Sequence, residues 1–509
     1  MGAQSETFDP ARTSCRSESS TTAGNRSQNS ALHVRSRYRV SWRRRFQVSE
    51  RESFSFNLKR DLSFFFSIWV GQLLVVAYSV ADALIVGNSR PDLLGGLALG
   101  NAIYGPLIVT MTAFFSSITI NATRVIAEKS AATLKHIAYY GFASGFFVAI
   151  FVFFVLKYFS TIHHWSNQSS YLVAATQDYL DTLTFSALPS ALFRVIACIA
   201  NSVRATIYIS LLQGVGLIAK VALSLALVDS PHFHLGLTGC ALSTTIAFYI
   251  MCIAATLLFL FDRRFSLFRF DFVLSREPSE LMALLRTGLP VAFSTLSEVT
   301  AFGYMAILIG KFSADQLGAH QIVSNLYNVG YTVIFSLAVL VSVKVSHAFG
   351  LEGPIGALHK ARTAIFITIA VGFSLGILYM LFGAAVLRFN TADEKVLAAS
   401  NKILIFLSLV IFVDCVQTGA AAALRALGIN AFPMFMQIIS LWIGVAILGD
   451  GFSTHRLRLG GVDLVSGPGV WCGVFLGLLP SALVMSLVAV GGGKSVRRHL
   501  QRIISQCTL

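Results

Sequence analysis

Long apolar segments separated by short polar stretches recur along the chain from about residue 62 onward. Each is long enough to cross the roughly 30 Å hydrocarbon core of a bilayer, which takes about 20 helical residues. We predict helices, because the segments are too long and too uniformly apolar to be barrel strands. The pattern predicts twelve spans, at residues 63–86, 94–119, 137–159, 178–201, 206–228, 236–261, 283–310, 316–343, 363–387, 397–424, 432–449 and 469–490.

The composition agrees with an all-α integral membrane protein. Apolar residues make up 55% of the chain and charged residues only 12%, with a mean hydropathy of +0.70, whereas a soluble protein is about 25% charged. The seven cysteines are scattered, without a close pair and without metal-ligand spacing. We therefore expect neither a disulfide framework nor a bound metal.

The basic residues predict the orientation in the membrane. If the chain starts in the cytoplasm, its two ends and the even-numbered loops hold 28 Lys and Arg, against 8 on the opposite side. Positive charge marks the cytoplasmic side, so we expect both termini there. The formal charge of +15 is then a signal of topology, and nucleic-acid binding is not expected.

The two ends of the chain lack apolar spans. Residues 1–60 are rich in Arg and Ser and predict a disordered tail; an alternative is that translation starts downstream of Met1 at a codon other than Met. Residues 496–509 predict a short cytoplasmic tail.

An internal repeat divides the spans into two sets. Residues 83–104 align without a gap to residues 306–327, pairing Gly87 with Gly310 and Asp92 with Asp315 at an offset of 223. Duplication explains these ordered matches better than the chance similarity of apolar sequences. Since the offset covers six spans, both copies enter the membrane in the same direction. We predict two pseudo-symmetric six-helix bundles, residues 61–270 and 275–495.

Three acids lie inside predicted spans. Glu298 and Asp414 are near the middle of theirs, and Asp82 is nearer one end. An acid at mid-bilayer costs about 2.5–3.5 kcal/mol on insertion scales, and such groups usually face a bundle interior or a water-filled cavity. Two bundles with acids between them favour a transporter that binds and releases a cation, although a structural hydrogen bond is the alternative for each acid.

Two of the segments that contain these acids resemble segments of a known family. Residues 287–331, "TGLPVAFSTLSEVTAFGYMAILIGKFSADQLGAHQIVSNLYNVGY", and residues 80–106, "VADALIVGNSRPDLLGGLALGNAIYGP", are similar to helices 7–8 and 1–2 of the multidrug and toxic compound extrusion (MATE) transporters, NorM-like branch. Residues 466–479, "SGPGVWCGVFLGLL", resemble the last helix. The resemblance extends over about residues 62–490.

This resemblance implies roles for particular residues. Glu298 and Asp414 match the acids that bind the coupling cation, and Asp82 matches an acid implicated in coupling and substrate release. Further cavity or coupling candidates are Asn201, Lys220, His320, Gln321, Tyr304 and Tyr327. For His320 a hydrogen bond that packs two helices is favoured over proton carriage.

The fourth and fifth spans depart from the family pattern. Ala197 stands where Arg is usual, and Lys220 stands where Asn is usual. A Lys inside the membrane must pair, deprotonate or extend to the interface. We predict that Lys220 pairs with Asp82 as an internal cation; the alternative is a Lys at a misplaced span boundary that reaches the interface.

These features together predict a secondary antiporter of a bacterial inner membrane, and no enzyme. We expect it to act as a monomer, with membrane lipid around it and no cofactor other than Na⁺ or H⁺ as the coupling ion. The expected substrates are small organic compounds, amphipathic and cationic, since 41 Phe residues suit an apolar cavity with cation–π contacts. The alternatives are an exporter or flippase of one endogenous metabolite, siderophore or lipid-linked sugar, and a receptor that has lost transport.

Overall fold

The computed structural model describes residues 58–158, 170–228, 235–269, 278–390, 393–458 and 464–491. These residues are helical apart from short connections, and none of them forms a strand. The predicted tails at residues 1–57 and 496–509 lie outside the described residues. Helix 1 begins at Leu58, so residues 58–60, which the prediction included in the tail, belong to a helix.

The first lobe contains helices 1 to 6. Their bounds are Leu58–Ser89, Leu94–Glu128, Ala131–Lys157, a fourth helix in two parts (Ser170–Thr184 and Ala187–Ser202), Thr206–Leu227 and Gly236–Phe261. The two parts of helix 4 are bent by 51°. Pro189 explains the break, because it has no N–H to donate to the carbonyl of Phe185 one turn earlier.

The second lobe contains helices 7 to 12. Their bounds are Pro278–Gly310, Ala314–Asn390 for helices 8 and 9 together, Glu394–Ala426, a composite helix 11 and Gly467–Gly491. Helix 11 comprises Ala431–Trp442, a π-helical segment Ile443–Gly449 and Asp450–Ser453. Between helices 8 and 9, Gly353 has φ 73, which only glycine adopts readily, and Pro354 then starts helix 9. With this break and the bent helix 4, the described chain contains the twelve predicted spans.

Several helices extend by more than one turn beyond the predicted apolar spans. Helix 2 continues to Glu128, whereas the prediction ended at residue 119. The predicted polar break at residues 344–362 is helical except at Gly353. Hydropathy marks where apolar side chains stop, but a helix with all its backbone bonds internal continues through the polar interface.

Helices 11 and 12 pack through glycines. A Cβ added at Gly477 would overlap Gly444 of helix 11, and one added at Gly473 would overlap the π-helical segment at Gly449. Small residues allow membrane helices to approach closely, and lipid supplies no hydrophobic force between them. This contact fixes helix 12, and with it Trp471, against the rest of the second lobe.

The two lobes touch at the end of the bundle where helix 1 begins, which we call the basal end. The Arg124 guanidinium on helix 2 donates to the carbonyl of Ala426 on helix 10, at 2.8 Å. It also lies 3.9 Å from the ring centroid of Phe349 on helix 8. Beside it, Gly350 packs on the backbone of Arg124. The basal end is therefore closed by backbone contacts between lobes.

An ion cluster strengthens the same end. Asp61 on helix 1 pairs with Lys344 on helix 8 at 2.7 Å, and with Arg204, between helices 4 and 5, at 3.3 Å. Asp61 is 8% exposed, so water screens these pairs less than it screens surface pairs. The Asp61–Lys344 pair joins the first lobe to the second.

We expect Gly350→Ala to separate the lobes at the basal end and to lower stability by about 1–3 kcal/mol, because the new Cβ would overlap the carbonyl of Arg124. Gly303→Ala is the matched control: it also places Ala in a helix, but no atom lies within 4 Å of the new Cβ. The melting temperature of the protein in detergent measures both. A Gly350→Ala variant as stable as Gly303→Ala would contradict the packing.

Candidate functional site

Two carboxylates of the second lobe share one hydroxyl group. Glu298 lies on helix 7, Asp414 on helix 10 and Tyr327 on helix 8. The Tyr327 hydroxyl is 3.0 Å from Asp414 Oδ2 and 3.4 Å from Glu298 Oε1. The hydroxyl has one proton and can donate it to only one carboxylate at a time. The two acids therefore lie within two hydrogen-bond lengths of each other, on helices far apart in sequence.

Further oxygen atoms surround this pair. Thr418 donates to Asp414 Oδ1 at 3.1 Å, and Tyr331 to Glu298 Oε2 at 3.4 Å. A cavity of about 20 Å³, lined by Glu298, Asp414, Tyr327 and Gln417 among others, lies beside them. Its volume suits one water molecule or one small ion and excludes an organic compound. Oxygen ligands of this kind are those that hard cations prefer.

Aromatic rings form one wall of the site. The rings of Phe302 and Tyr327 stack with centroids 4.9 Å apart, and Trp471 lies edge-on to Tyr327 at 6.2 Å. The Trp471 indole N–H donates to His320 Nδ1 at 3.2 Å. This is a contact between helices 12 and 8, and it supports the packing role that the sequence favours for His320.

Two predicted candidates lie apart from the carboxylates. The Tyr304 ring packs on Trp442, with centroids 5.8 Å apart. Gln321 is exposed and donates to Asn325, one turn further along helix 8, at 3.3 Å. No contact joins either of them to Glu298 or Asp414 within the described chain.

Sequence reasoning missed Arg425, which it placed in a loop after the tenth span. Helix 10 includes this residue, and its side chain is 9% exposed. The guanidinium donates to Gln437 Oε1 at 2.6 Å and to the hydroxyl of Ser294, one turn before Glu298, at 3.2 Å. A buried positive charge therefore lies on the basal side of the two carboxylates. Its only sequence signal was a basic residue at a span boundary.

In the first lobe Asp82 and Lys220 form a buried ion pair. The Lys220 ammonium is 2.5 Å from Asp82 Oδ1, and the side chains of Lys220 and Asp82 are 1% and 6% exposed. This is the contact predicted from the sequence. Since Lys220 does not reach the interface, the alternative of a misplaced boundary is wrong.

Neighbouring polar groups complete the pair. Lys220 also donates to the Thr244 hydroxyl at 2.6 Å, and the Cys240 thiol donates to Asp82 Oδ1 at 2.8 Å. Both neighbours are on helix 6, whereas Asp82 is on helix 1 and Lys220 on helix 5. No sequence pattern pointed to Cys240 or Thr244, because a thiol and a hydroxyl are ordinary in an apolar helix.

A second cavity, of about 70 Å³, lies between the first lobe and helix 8. Asn201 lines it and accepts a hydrogen bond from Thr206 at 3.1 Å. Arg194 and Ala197 of helix 4 line the same cavity, as do Phe335 and Ser342 of helix 8. Neither Asp82 nor Lys220 is among the described residues that line this cavity.

The side chains described here do not form a transition-metal site. Within the described ranges no three His, Cys, Asp or Glu side chains are grouped closely enough to hold a metal ion. Cys198, Cys240, Cys252, Cys415 and Cys472 are all free and buried.

The described chain is a twelve-span bundle of two repeated lobes with carboxylates inside it, an arrangement typical of membrane transporters. A sequence profile of the MatE family matches residues 68–225 and 290–448. The two matched segments begin 222 residues apart and cover both lobes, in agreement with the repeat found in the sequence. The chain belongs to the MatE family, and it is a multi-pass membrane transporter and not an enzyme.

Relatives match most of the chain. Multidrug resistance protein PmpM of Pseudomonas aeruginosa is 25% identical, with 87% of this chain and 94% of that protein covered. Multidrug resistance protein NorM of Vibrio cholerae is 23% identical, with 79% and 89% covered. Among solved structures, an outward-facing multidrug resistance MATE family transporter has a TM-score of 0.76 at 15% identity, covering 86% of this chain and 96% of its own. The last match establishes the fold.

We expect Lys220→Met to lower stability by about 3–5 kcal/mol, because it leaves the Asp82 carboxylate buried without its cation. Adding Asp82→Asn should recover most of the loss. Lys402→Met, which removes an exposed Lys from helix 10, is the matched control. Melting temperatures in detergent report all four proteins. If the double variant were no more stable than Lys220→Met, the two side chains would not be energetically coupled.

Proposed function

We propose that the protein exports amphipathic organic cations in exchange for Na⁺ or H⁺. The observation that supports this is the pair of carboxylates, Glu298 and Asp414, sharing the Tyr327 hydroxyl within the second lobe. Two negative charges held this close in a membrane repel each other, and a bound cation or proton relieves the repulsion. The electrostatic energy of the proposed coupling site therefore changes strongly when a cation or proton binds to it or leaves it.

The positions of the two acids support coupling to a movement of helices. Glu298 is on helix 7, Asp414 on helix 10 and Tyr327 on helix 8, and helices 7 and 8 also contact the first lobe at Gly288 and Gly350. A cation that draws the two carboxylates together favours one arrangement of these helices. An ion with different affinities for two arrangements shifts the equilibrium between them, which is what an antiporter needs.

The aromatic wall supports the proposed substrate class. Phe302, Tyr327, Trp471 and Tyr331 pack around the acids of the second lobe. Aromatic faces attract organic cations by about 0.5–2 kcal/mol each, more where water is excluded. A flat organic cation can therefore bind beside the acids when the lobes separate. The coupling ion binds to the same acids and so competes with the organic cation.

The relatives support export of several compounds. PmpM and NorM are named multidrug resistance proteins, and we propose the same activity for this chain, in the inner membrane of a bacterium. The excess of Lys and Arg at the basal end supports a cytoplasmic location for both termini. Nothing in this mechanism needs a second copy, and we propose that a monomer transports.

We expect Glu298→Gln to abolish gradient-driven export, because an amide cannot balance the charge of a bound cation. Export is measured as dye efflux from cells that lack their main efflux pumps, with membrane abundance checked by immunoblot. Glu352→Gln, which neutralises an exposed acid at the basal end, is the matched control. Efflux by Glu298→Gln equal to that of wild type would remove Glu298 from the coupling site.

Na⁺ is the expected coupling ion, since two carboxylates with hydroxyl and amide oxygens around them suit a hard cation. Proteoliposomes with a pH gradient and no added Na⁺ should then take up little dye, and an imposed Na⁺ gradient should drive uptake. Strong uptake driven by the pH gradient alone would identify H⁺ as the coupling ion.

A further inference from the structure

Arg194 is a buried positive charge that has no partner in the described chain. It lies on the second part of helix 4 and is 7% exposed. Its Nε makes no hydrogen bond, and no ion pair joins the guanidinium to an acid among the described residues. Arg remains charged under all conditions in a protein. An unpaired guanidinium inside a membrane is costly, and residues of this kind usually mark a pathway for substrates or ions.

The cavity that Arg194 faces suits an anion. No Asp or Glu is among its described lining residues. The side-chain amides of Gln72, Asn201 and Gln213 line it, and each amide carries N–H donors. A guanidinium flanked by amide donors matches the oxygens of a carboxylate, which Arg binds through two parallel N–H···O bonds.

The three acids inside the spans pair with another residue or line another cavity. Asp82 is held by Lys220 at 2.5 Å, so it does not neutralise Arg194. Glu298 and Asp414 line the separate cavity in the second lobe. None of these three acids therefore neutralises the positive charge of Arg194, whereas a bound anion would.

The neighbouring sequence strengthens this assignment. Ala197 lies three residues after Arg194 on the same helix and lines the same cavity. Residues three apart are neighbours on one face of a helix, and Ala197 leaves space beside the guanidinium. The cavity volume of about 70 Å³ admits a carboxylate but not a whole drug-sized molecule, which needs at least about 300 Å³.

We propose that this cavity is the subsite for an anionic group of the substrate, and that Arg194 binds the substrate's carboxylate. The rest of the substrate then lies between the lobes, where its cationic part can reach the aromatic wall and the acids of the second lobe. The preferred substrates are accordingly amphipathic organic cations that also carry a carboxylate. This inference rests on the proposed export of organic compounds, and it narrows their class.

Two dyes that differ only at the carboxyl group test the subsite. Rhodamine 110 carries a free carboxylate, and rhodamine 123 is its methyl ester. Binding of each to the purified full-length protein in detergent is measured by fluorescence anisotropy. We expect wild type to bind rhodamine 110 at least about tenfold more tightly than the ester, since a buried charge pair contributes more than the 1.4 kcal/mol that a factor of ten requires.

Substitutions at Arg194 separate the charge from its surroundings. Arg194→Gln should weaken binding of rhodamine 110 and leave the ester unchanged, so that the affinity ratio falls towards one. Arg194→Lys should keep part of the preference. Arg362→Gln removes an Arg that donates to the carbonyl of Val490 in the second lobe, and should leave the ratio at the wild-type value. Partition of dye into micelles is the same for all variants and cancels in this comparison.

The proposed subsite is wrong if wild type fails to bind rhodamine 110 or binds it no more tightly than rhodamine 123. It is also wrong if Arg194→Gln keeps the preference for rhodamine 110. If Arg194→Gln bound neither dye while its melting temperature was unchanged, the proposal would also be wrong. Arg194 would then shape the cavity without discriminating between the free carboxylate and its ester. Uptake into proteoliposomes is measured separately. Normal dye binding without any gradient-driven uptake would contradict the proposed export while leaving the subsite intact.

Discussion

Burying a charged side chain inside a membrane costs several kcal/mol unless another group compensates it, and this cost organises the interior of the protein. The two lobes compensate this cost in different ways. In the first lobe Lys220 compensates Asp82 at 2.5 Å, with Thr244 and Cys240 completing the contacts. In the second lobe no cation lies in ion-pair contact with Glu298 or Asp414 among the described residues, and hydroxyl groups alone contact them. One set of charges is paired within the protein, and the other has no cation in ion-pair contact among the described residues.

This difference gives two lobes that share one fold different charged groups in their interiors. The repeat places six helices in each lobe, but the acids do not follow it: the offset of 223 does not carry Asp82 onto Glu298 or Asp414. The second lobe is thus suited to a small cation. The first lobe, with Asp82 already neutralised, presents Arg194 towards the cavity beside helix 8. Both places lie on helices that also form the contact between the lobes, so the proposed binding at either would act on that contact.

The closed basal end bears on the proposed transport cycle. Asp61, Arg124 and Gly350 hold helices 1, 2 and 8 together there, through an ion pair, a backbone hydrogen bond and close packing. Packed surfaces do not deform continuously, so a rotation of the lobes would have to break these contacts together. Under the proposed antiport, their strength would contribute to the energy difference between the two states.

The sequence by itself determined the membrane class, the twelve spans, the repeat and the three acids, because apolar length and an acid inside an apolar run are local signals. Through the cost of burying a charge it also predicted the contact between Lys220 and Asp82. Tertiary structure alone decided that Tyr327 lies between Glu298 and Asp414 and that helix 10 buries Arg425. It also decided that Arg194 faces a cavity with no acid among its described lining residues. These facts depend on which helix faces meet across more than a hundred residues, and on helices that continue beyond their apolar runs. A hydropathy pattern records neither.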